Sequence, residues 1–188
     1  MKIGILGGTF NPVHIGHLIL AEEVREGLPL DKVIFVPTYL PPHKEDVDIA
    51  PARHRYNMLK RAINRNPFFE VSDIELKRDG VSYTIDTLRR IRQIYARDEI
   101  FFIVGSDLLN YLDGWKDLGE VLKIVTFVVA TRPGYPLDKI PSYIHKIPIR
   151  AVDISAFEIR QRIRQGRSFR YLVPQEVVNY INKKGLYK

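Results

Sequence analysis

The hydrophobic patterning predicts a doubly wound α/β fold, a parallel sheet of about five strands with helices packed on it. Three observations carry this. Short apolar, β-branched or aromatic runs alternate with stretches of helical periodicity along all 188 residues. Several runs are apolar without a break, as strands buried on both faces are. Glycine, proline or polar residues follow them, where an open parallel sheet places its loops and its ligands.

Ile3, Ile5 and Leu6 make the first strand, Gly7-Gly8 a tight turn, and Ile15, Leu18, Ile19 and Val24 the apolar face of a helix ending near Gly27. Lys32-Val33-Ile34-Phe35-Val36-Pro37 is a second strand stopped by proline, so strand, helix and strand form a right-handed parallel unit. Pro41-Pro42-His43-Lys44 is then a stiff loop, because adjacent prolines remove backbone donors and fix φ. From Ala52 to Asn64 the spacing predicts a helix with Tyr56, Leu59 and Ile63 inside and Arg53, Lys60 and Arg61 outside. Residues 68–72 and 74–76 suggest a third strand. Thr84 is the expected N-cap of a helix running through Ile91 and Ile94, with Asp86 in its first turn.

Ile100-Phe101-Phe102-Ile103-Val104 is the most apolar run, hence the expected central strand, and it leads into Gly105-Ser106-Asp107. The single tryptophan, Trp115, follows in a loop or short helix, where stacking on a flat ring and ordinary packing are both open to it. A fifth strand is expected from Ile124 to Ala130, running into the turn Thr131-Arg132-Pro133-Gly134. An irregular connection over 136–147 and a short strand over 149–154 come next. Ser155-Ala156-Phe157-Glu158 has the form of a capping box, so a helix should start at Ser155, with Arg160, Arg164 and Arg167 along one face. A final helix carries Val177, Tyr180 and Ile181. The expected organisation is one domain over 1–188, with 155–188 a helical part packed on the body.

Composition bounds the function. Zero cysteines exclude disulfides and thiolate metal sites and fit a reducing compartment. No apolar stretch approaches the ~20 residues that span a membrane, so a soluble, cytoplasmic protein is expected, with no membrane partner. A formal charge of +7, from 29 Lys and Arg against 22 Asp and Glu, favours an anionic partner, though charge alone does not choose between nucleotide, nucleic acid and acidic lipid.

The sharpest motif is Gly7-Gly8-Thr9-Phe10-Asn11-Pro12-Val13-His14-Ile15-Gly16-His17-Leu18. A helix N-terminus after a strand attracts phosphate through unpaired N–H groups, and residues 14 and 17, three apart, share a helix face. Neither Gly-x-x-x-x-Gly-Lys-Ser/Thr nor Gly-x-Gly-x-x-Gly is present in this stretch. The tetrad His14-Ile15-Gly16-His17 resembles the His-x-Gly-His signature of the nucleotidyltransferase superfamily. With Pro41-Pro42-His43-Lys44, Ser82 to Leu88, Gly105-Ser106-Asp107, Trp115, Arg132-Pro133-Gly134, Ile154-Ser155, Ile159-Arg160 and Tyr171 to Pro174, it is similar to the bacterial nicotinate-mononucleotide adenylyltransferases along nearly the whole chain.

That resemblance implies a Rossmann-like fold, ATP and nicotinate mononucleotide as substrates, Mg²⁺ carried by the ATP phosphates rather than by a protein metal site, and no nucleic-acid partner. His14, His17, Lys44 and Arg160 would be the catalytic residues. ATP would meet Gly7, Gly8, Thr9, Phe10, His14, His17, Gly105, Asp107, Arg132, Ser155 and Arg160. Nicotinate mononucleotide would meet Lys44, Tyr83, Thr84, Ile85, Asp107, Trp115 and Lys116. One departure stands out: the family usually has hydroxyl residues where this chain has Ala156 and Phe157. The alternatives are another adenylyltransferase of the superfamily, such as the pantetheine-phosphate type, and a basic nucleotide- or nucleic-acid-binding module without chemistry. Oligomeric state is not legible in the sequence.

Overall fold

The computed structural model describes every residue except 42–47, 79, 107–108, 110–111, 113, 132–140, 142–143 and 151. Within it the elements are β1 (Lys2–Gly8), α1 (Ile15–Gly27), β2 (Lys32–Pro37), α2 (Ala52–Ile63), β3 (Phe69–Val71), α3 (Thr84–Ile94), β4 (Glu99–Gly105), α4 (Leu118–Ile124), β5 (Thr126–Thr131), β6 (His145–Pro148), α5 (Ala156–Arg164) and α6 (Gln175–Lys184). The strands form one sheet in the order β3-β2-β1-β4-β5-β6, with every neighbouring pair parallel. Leaving β1, the chain works outward through β2 and β3, then returns to β4 on the other side. That reversal opens a crevice at the carboxyl ends of β1 and β4, where doubly wound sheets bind ligands.

Period-two alternation divides the strand side chains between two cores. Leu6, Val33, Phe35, Phe101, Ile103, Val128 and Ala130 lie on one face with Leu20 and Val24 of α1, Met58 and Leu59 of α2, Ile159 of α5 and Val177 and Ile181 of α6. Ile3, Ile5, Ile34, Val36, Ile100, Phe102, Val104, Phe127 and Val129 lie on the other with Ile85, Leu88 and Ile91 of α3 and Val121 of α4. The C-terminal helices thus share the core of the first strands. Among the described residues no helix is long and apolar enough to cross a membrane.

Several expectations are corrected. The described sheet has six strands rather than about five, and its last strand is His145–Pro148, not 149–154. β6 is an edge strand with mostly exposed residues, so it needs no apolar run and shows none. Ile149 and Ile154 pack on the first core from irregular chain. The third strand shrinks to three residues, and β5 begins at Thr126 because Leu118–Ile124 is helical. Gly7 and Gly8 continue β1 instead of turning; the left-handed residue beyond the strand is Phe10, with φ 49°. Finally, Thr84 is the first helical residue of α3 and Tyr83 its cap, because the Thr87 N–H closes the first bond on the Tyr83 carbonyl at 3.3 Å.

Candidate active site

A cleft of about 880 Å³ opens over the carboxyl ends of β1 and β4. Its wall takes Gly7, Gly8, Thr9, Phe10, His14 and His17 from β1 and the start of α1, Gly105 from the end of β4, and Tyr83 and Thr84 from the start of α3. Trp115 and Lys116 come from the connection before α4, and Ser155 and Arg160 from α5. Residues scattered from 7 to 160 therefore face one space. Ile85 does not join them: its side chain is fully buried in the second core, so only its backbone can serve the cleft. Lys44, Asp107 and Arg132 lie outside the described residues.

The two histidines sit at the helix start with different jobs. His14 is the N-cap of α1, buried, with its backbone N–H donating to Nδ1 of His17 at 3.2 Å. A ring nitrogen that accepts a hydrogen bond carries no proton, so the neutral His17 ring has its proton on Nε2 and is a donor there. The ring is held in place by the edge of Phe10, with centroids 5.0 Å apart, and by the His14 ring at 3.7 Å.

Gly16 is explained by the same packing. A Cβ there would lie 3.1 Å from Nδ1 and 3.2 Å from Cε1 of His14, so the imidazole occupies the space a side chain would need. Gly16→Ala should change thermal stability by less than about 1 kcal/mol, since the helix-propensity gain of up to ~1 kcal/mol is set against displacing a buried ring. It should still lower turnover about tenfold by displacing the ring. A melting curve and a turnover measurement on one preparation would separate the two effects.

At α5, the Ser155 hydroxyl accepts from the N–H groups of Phe157 at 3.2 Å and Glu158 at 3.5 Å, so the cap is real. The reciprocal half of the expected capping box is replaced: the Glu158 carboxylate pairs with Arg162 at 3.0 Å. Two of the N–H groups at this helix start are thus already engaged by Ser155.

Arg160 lies at the same end of the cleft, its Nη1 donating to the Asn11 carbonyl at 2.9 Å and its Nε to Asp48 Oδ2 at 3.3 Å. Arg164 takes the other oxygen of Asp48. Bonding to Arg164 first, and to Arg160, holds the Asp48 carboxyl below its usual range, so it stays ionised at neutral pH.

The other end is aromatic. Trp115 is half-buried and meets Phe102 and Phe127 edge-on, each with centroids 6.0 Å away, so one face of a rigid indole is buttressed by the sheet. Lys116 holds its ammonium 4.5 Å from the centroid of the Tyr83 ring. The N-terminus of α3 points into this end, and its first N–H groups have no partner within the helix.

Below the cleft lies a residue that sequence reasoning missed. Arg55 of α2 is 1% exposed, and its guanidinium donates to the carbonyls of Ala50 and Thr9, both at 2.8 Å, and of Tyr39 at 3.0 Å. Burial lowers its pKa to about 10, which still leaves it charged at neutral pH. Glu75, also buried, accepts from Thr87 Oγ1 at 2.7 Å and from the Tyr39 N–H at 3.3 Å. Arg55 therefore fastens the loops after β1 and β2 to one helix.

Parallel strands in this order, a crevice at the reversal, a histidine donor at a helix start and an arginine opposite define an α/β protein built to bind a nucleotide and move its phosphate. The cytidylyltransferase-like family matches residues 5–162. A Thermus thermophilus relative described as "Probable nicotinate-nucleotide adenylyltransferase" is 46% identical over 188 residues, covering all of both chains. A Desulfitobacterium hafniense relative of the same description is 42% identical over 198 residues, covering 100% of this chain and 96% of its own. The solved structure of Plasmodium falciparum nicotinic acid mononucleotide adenylyltransferase complexed with NaAD superposes with a TM-score of 0.80, over 99% of this chain and 97% of the other, at 19% identity, a likeness of fold. The chain belongs to the cytidylyltransferase-like family and, within it, to the nicotinate-nucleotide adenylyltransferases.

Proposed function

We propose that this enzyme transfers the adenylyl group of ATP to nicotinate mononucleotide, giving nicotinate adenine dinucleotide and pyrophosphate, a step of NAD biosynthesis. The observation that carries the reading is one cleft lined both by His14, His17 and Arg160, which we assign to phosphate, and by Trp115, Tyr83 and Thr84, which we assign to the pyridine ring. A phosphate oxygen of the mononucleotide attacks the α-phosphorus of ATP, a P–O bond forms, and the bond from that phosphorus to the bridging oxygen of the pyrophosphate breaks. Attacking group and electrophile are both supplied by substrates, so the protein's share is positioning and neutralisation of developing charge. His17, with its donor fixed at Nε2, serves the transferring group together with His14. Arg160 serves the departing pyrophosphate, and Thr9, Phe10, Gly7, Gly8, Gly105 and Ser155 shape the ATP side.

We assign Lys44, Asp107 and Arg132 their parts by the resemblance alone: Lys44 toward phosphate, Asp107 toward ribose, Arg132 toward adenosine. Residues 1–188 would work as one domain, a reading supported by the core that α5 and α6 share with β1 and β2. A divalent cation accompanies the nucleotide, and Mg²⁺ is the ion proposed. We assign it to the phosphate oxygens of ATP; the described cleft carries two carboxylates, Glu75 and Asp153, beside its hydrogen-bond donors. A cytoplasmic location accords with the absence of cysteine.

Acceptor choice follows from the ring end. Nicotinate and nicotinamide differ by a carboxylate against a neutral amide, and the N–H groups and dipole at the start of α3 favour the anion by ~0.3–1 kcal/mol, up to ~2 when partly buried. Glu75, which lines the cleft, and Asp86, in the first turn of α3, oppose this with their own negative charge and keep the preference modest. Donors set for a carboxylate would also face the amide NH₂. Initial rates of pyrophosphate release should therefore favour nicotinate mononucleotide over nicotinamide mononucleotide at least tenfold, about 1.4 kcal/mol, and over phosphopantetheine by more. Equal rates would remove the assignment of the α3 start. Trp115→Ala should raise KM for both pyridine mononucleotides alike, about tenfold for the loss of one stacking face.

Arg160→Ala should weaken ATP by about tenfold or more while leaving AMP nearly unchanged, because AMP lacks the phosphates it would reach. Calorimetric titration of both nucleotides checks this.

A further inference from the structure

We propose that Tyr187, remote from the cleft in sequence, is a positioning residue for the phosphate end, acting on Arg160 through Asn11. The proposal rests on the reading of Arg160 as a pyrophosphate-binding group. Asn11 is 6% exposed and its carboxamide is used at both ends. Nδ2 donates to the Asp48 carbonyl at 3.0 Å, while Oδ1 accepts from the Ala50 N–H at 3.0 Å and is 2.9 Å from the Tyr187 hydroxyl. The Ala50 N–H can only donate, which fixes which end of the amide is oxygen. The Tyr187 O–H is then necessarily the donor to that oxygen.

Arg160 rests on the same residue: its Nη1 bonds to the Asn11 carbonyl and its Nε to the carboxylate of Asp48. Both supports of the guanidinium are therefore placed by one asparagine, and Tyr187 completes the bonding of that asparagine. Burial, the largest influence, pushes the phenol pKa up, so the hydroxyl keeps its proton and remains a donor. The backbone of Tyr187 has φ 64°, a left-handed conformation that costs a bulky residue free energy. Such strain persists only where surroundings hold it. Here the Leu186 N–H bonds to the Ile181 carbonyl at 3.1 Å, and Leu186 and Tyr187 both pack on the first core.

A purely structural role would affect all ligands alike, whereas action through Arg160 must be confined to the phosphates beyond the first. The test is a double-mutant cycle with Tyr187→Phe, which removes only the hydroxyl, and Arg160→Ala. Dissociation constants for ATP and for AMP are measured by calorimetry on the parent, both single variants and the double variant. Tyr187→Phe should weaken ATP about three- to tenfold, the worth of one net hydrogen bond, and change AMP by less than about 1.5-fold. In the Arg160→Ala background the same substitution should change ATP binding by less than about 1.5-fold. An unchanged ATP constant in Tyr187→Phe, an equal loss for AMP, or an equal loss in both backgrounds would overturn the proposal. Because the readout is binding, it is distinct from failure of the adenylyl-transfer reading, which would show in the parent as no pyrophosphate formed from ATP and nicotinate mononucleotide.

Discussion

His17→Ala is expected to lower turnover by about 10²–10³, the usual cost of removing one donor to charge that develops in a transition state, while changing KM for nicotinate mononucleotide little. The fixed tautomer sharpens this. His17 Nδ1 accepts from the His14 N–H, so in the neutral ring the donor is Nε2, the atom assigned here to a phosphate oxygen. His17→Asn separates the two functions, because its amide oxygen can replace Nδ1 as acceptor at the helix start but nothing replaces Nε2. The asparagine variant should turn over as slowly as the alanine variant. Turnover near the parent rate in the asparagine variant would assign His17 to helix capping instead.

The second large effect is on stability. Arg55→Leu should destabilise the fold by about 3–5 kcal/mol, since it strips three carbonyls of their donor around a nearly inaccessible side chain. Lysine keeps the charge but cannot reach Ala50, Thr9 and Tyr39 in one geometry, so Arg55→Lys should recover only part of the loss. Urea unfolding of the three proteins measures both differences. A change below about 1 kcal/mol for leucine would contradict the role given to Arg55.

What the sequence made legible was whatever rests on local pattern. β1, β2 and β4 are buried on both faces, so their apolar runs announced them, and the motif around His14 and His17 announced two residues that both line the cleft. β6 stayed hidden because an edge strand can be polar along its length. The cap of α3 was misplaced by one residue: threonine is the better capping type, yet the helical bonding begins on the Tyr83 carbonyl.

Arg55 was overlooked for a different reason. Arg53, Lys60 and Arg61 on the same helix suggest a solvated basic face, and nothing local distinguishes the one arginine that turns inward. The long-range supports were invisible in principle, since Asn11 is 37 positions from Asp48 and 176 from Tyr187. A helical reading of α5 does place Arg160 and Arg164 together, but gives no sign that both share Asp48.

The central claim is adenylyl transfer between two substrates, and product stoichiometry tests it most directly. Incubated with ATP, a divalent cation and nicotinate mononucleotide, the protein should form nicotinate adenine dinucleotide and pyrophosphate in a one-to-one ratio, identified by mass and by coupled assay. Pyrophosphate accompanied by AMP without the dinucleotide, or no pyrophosphate at all, would contradict it.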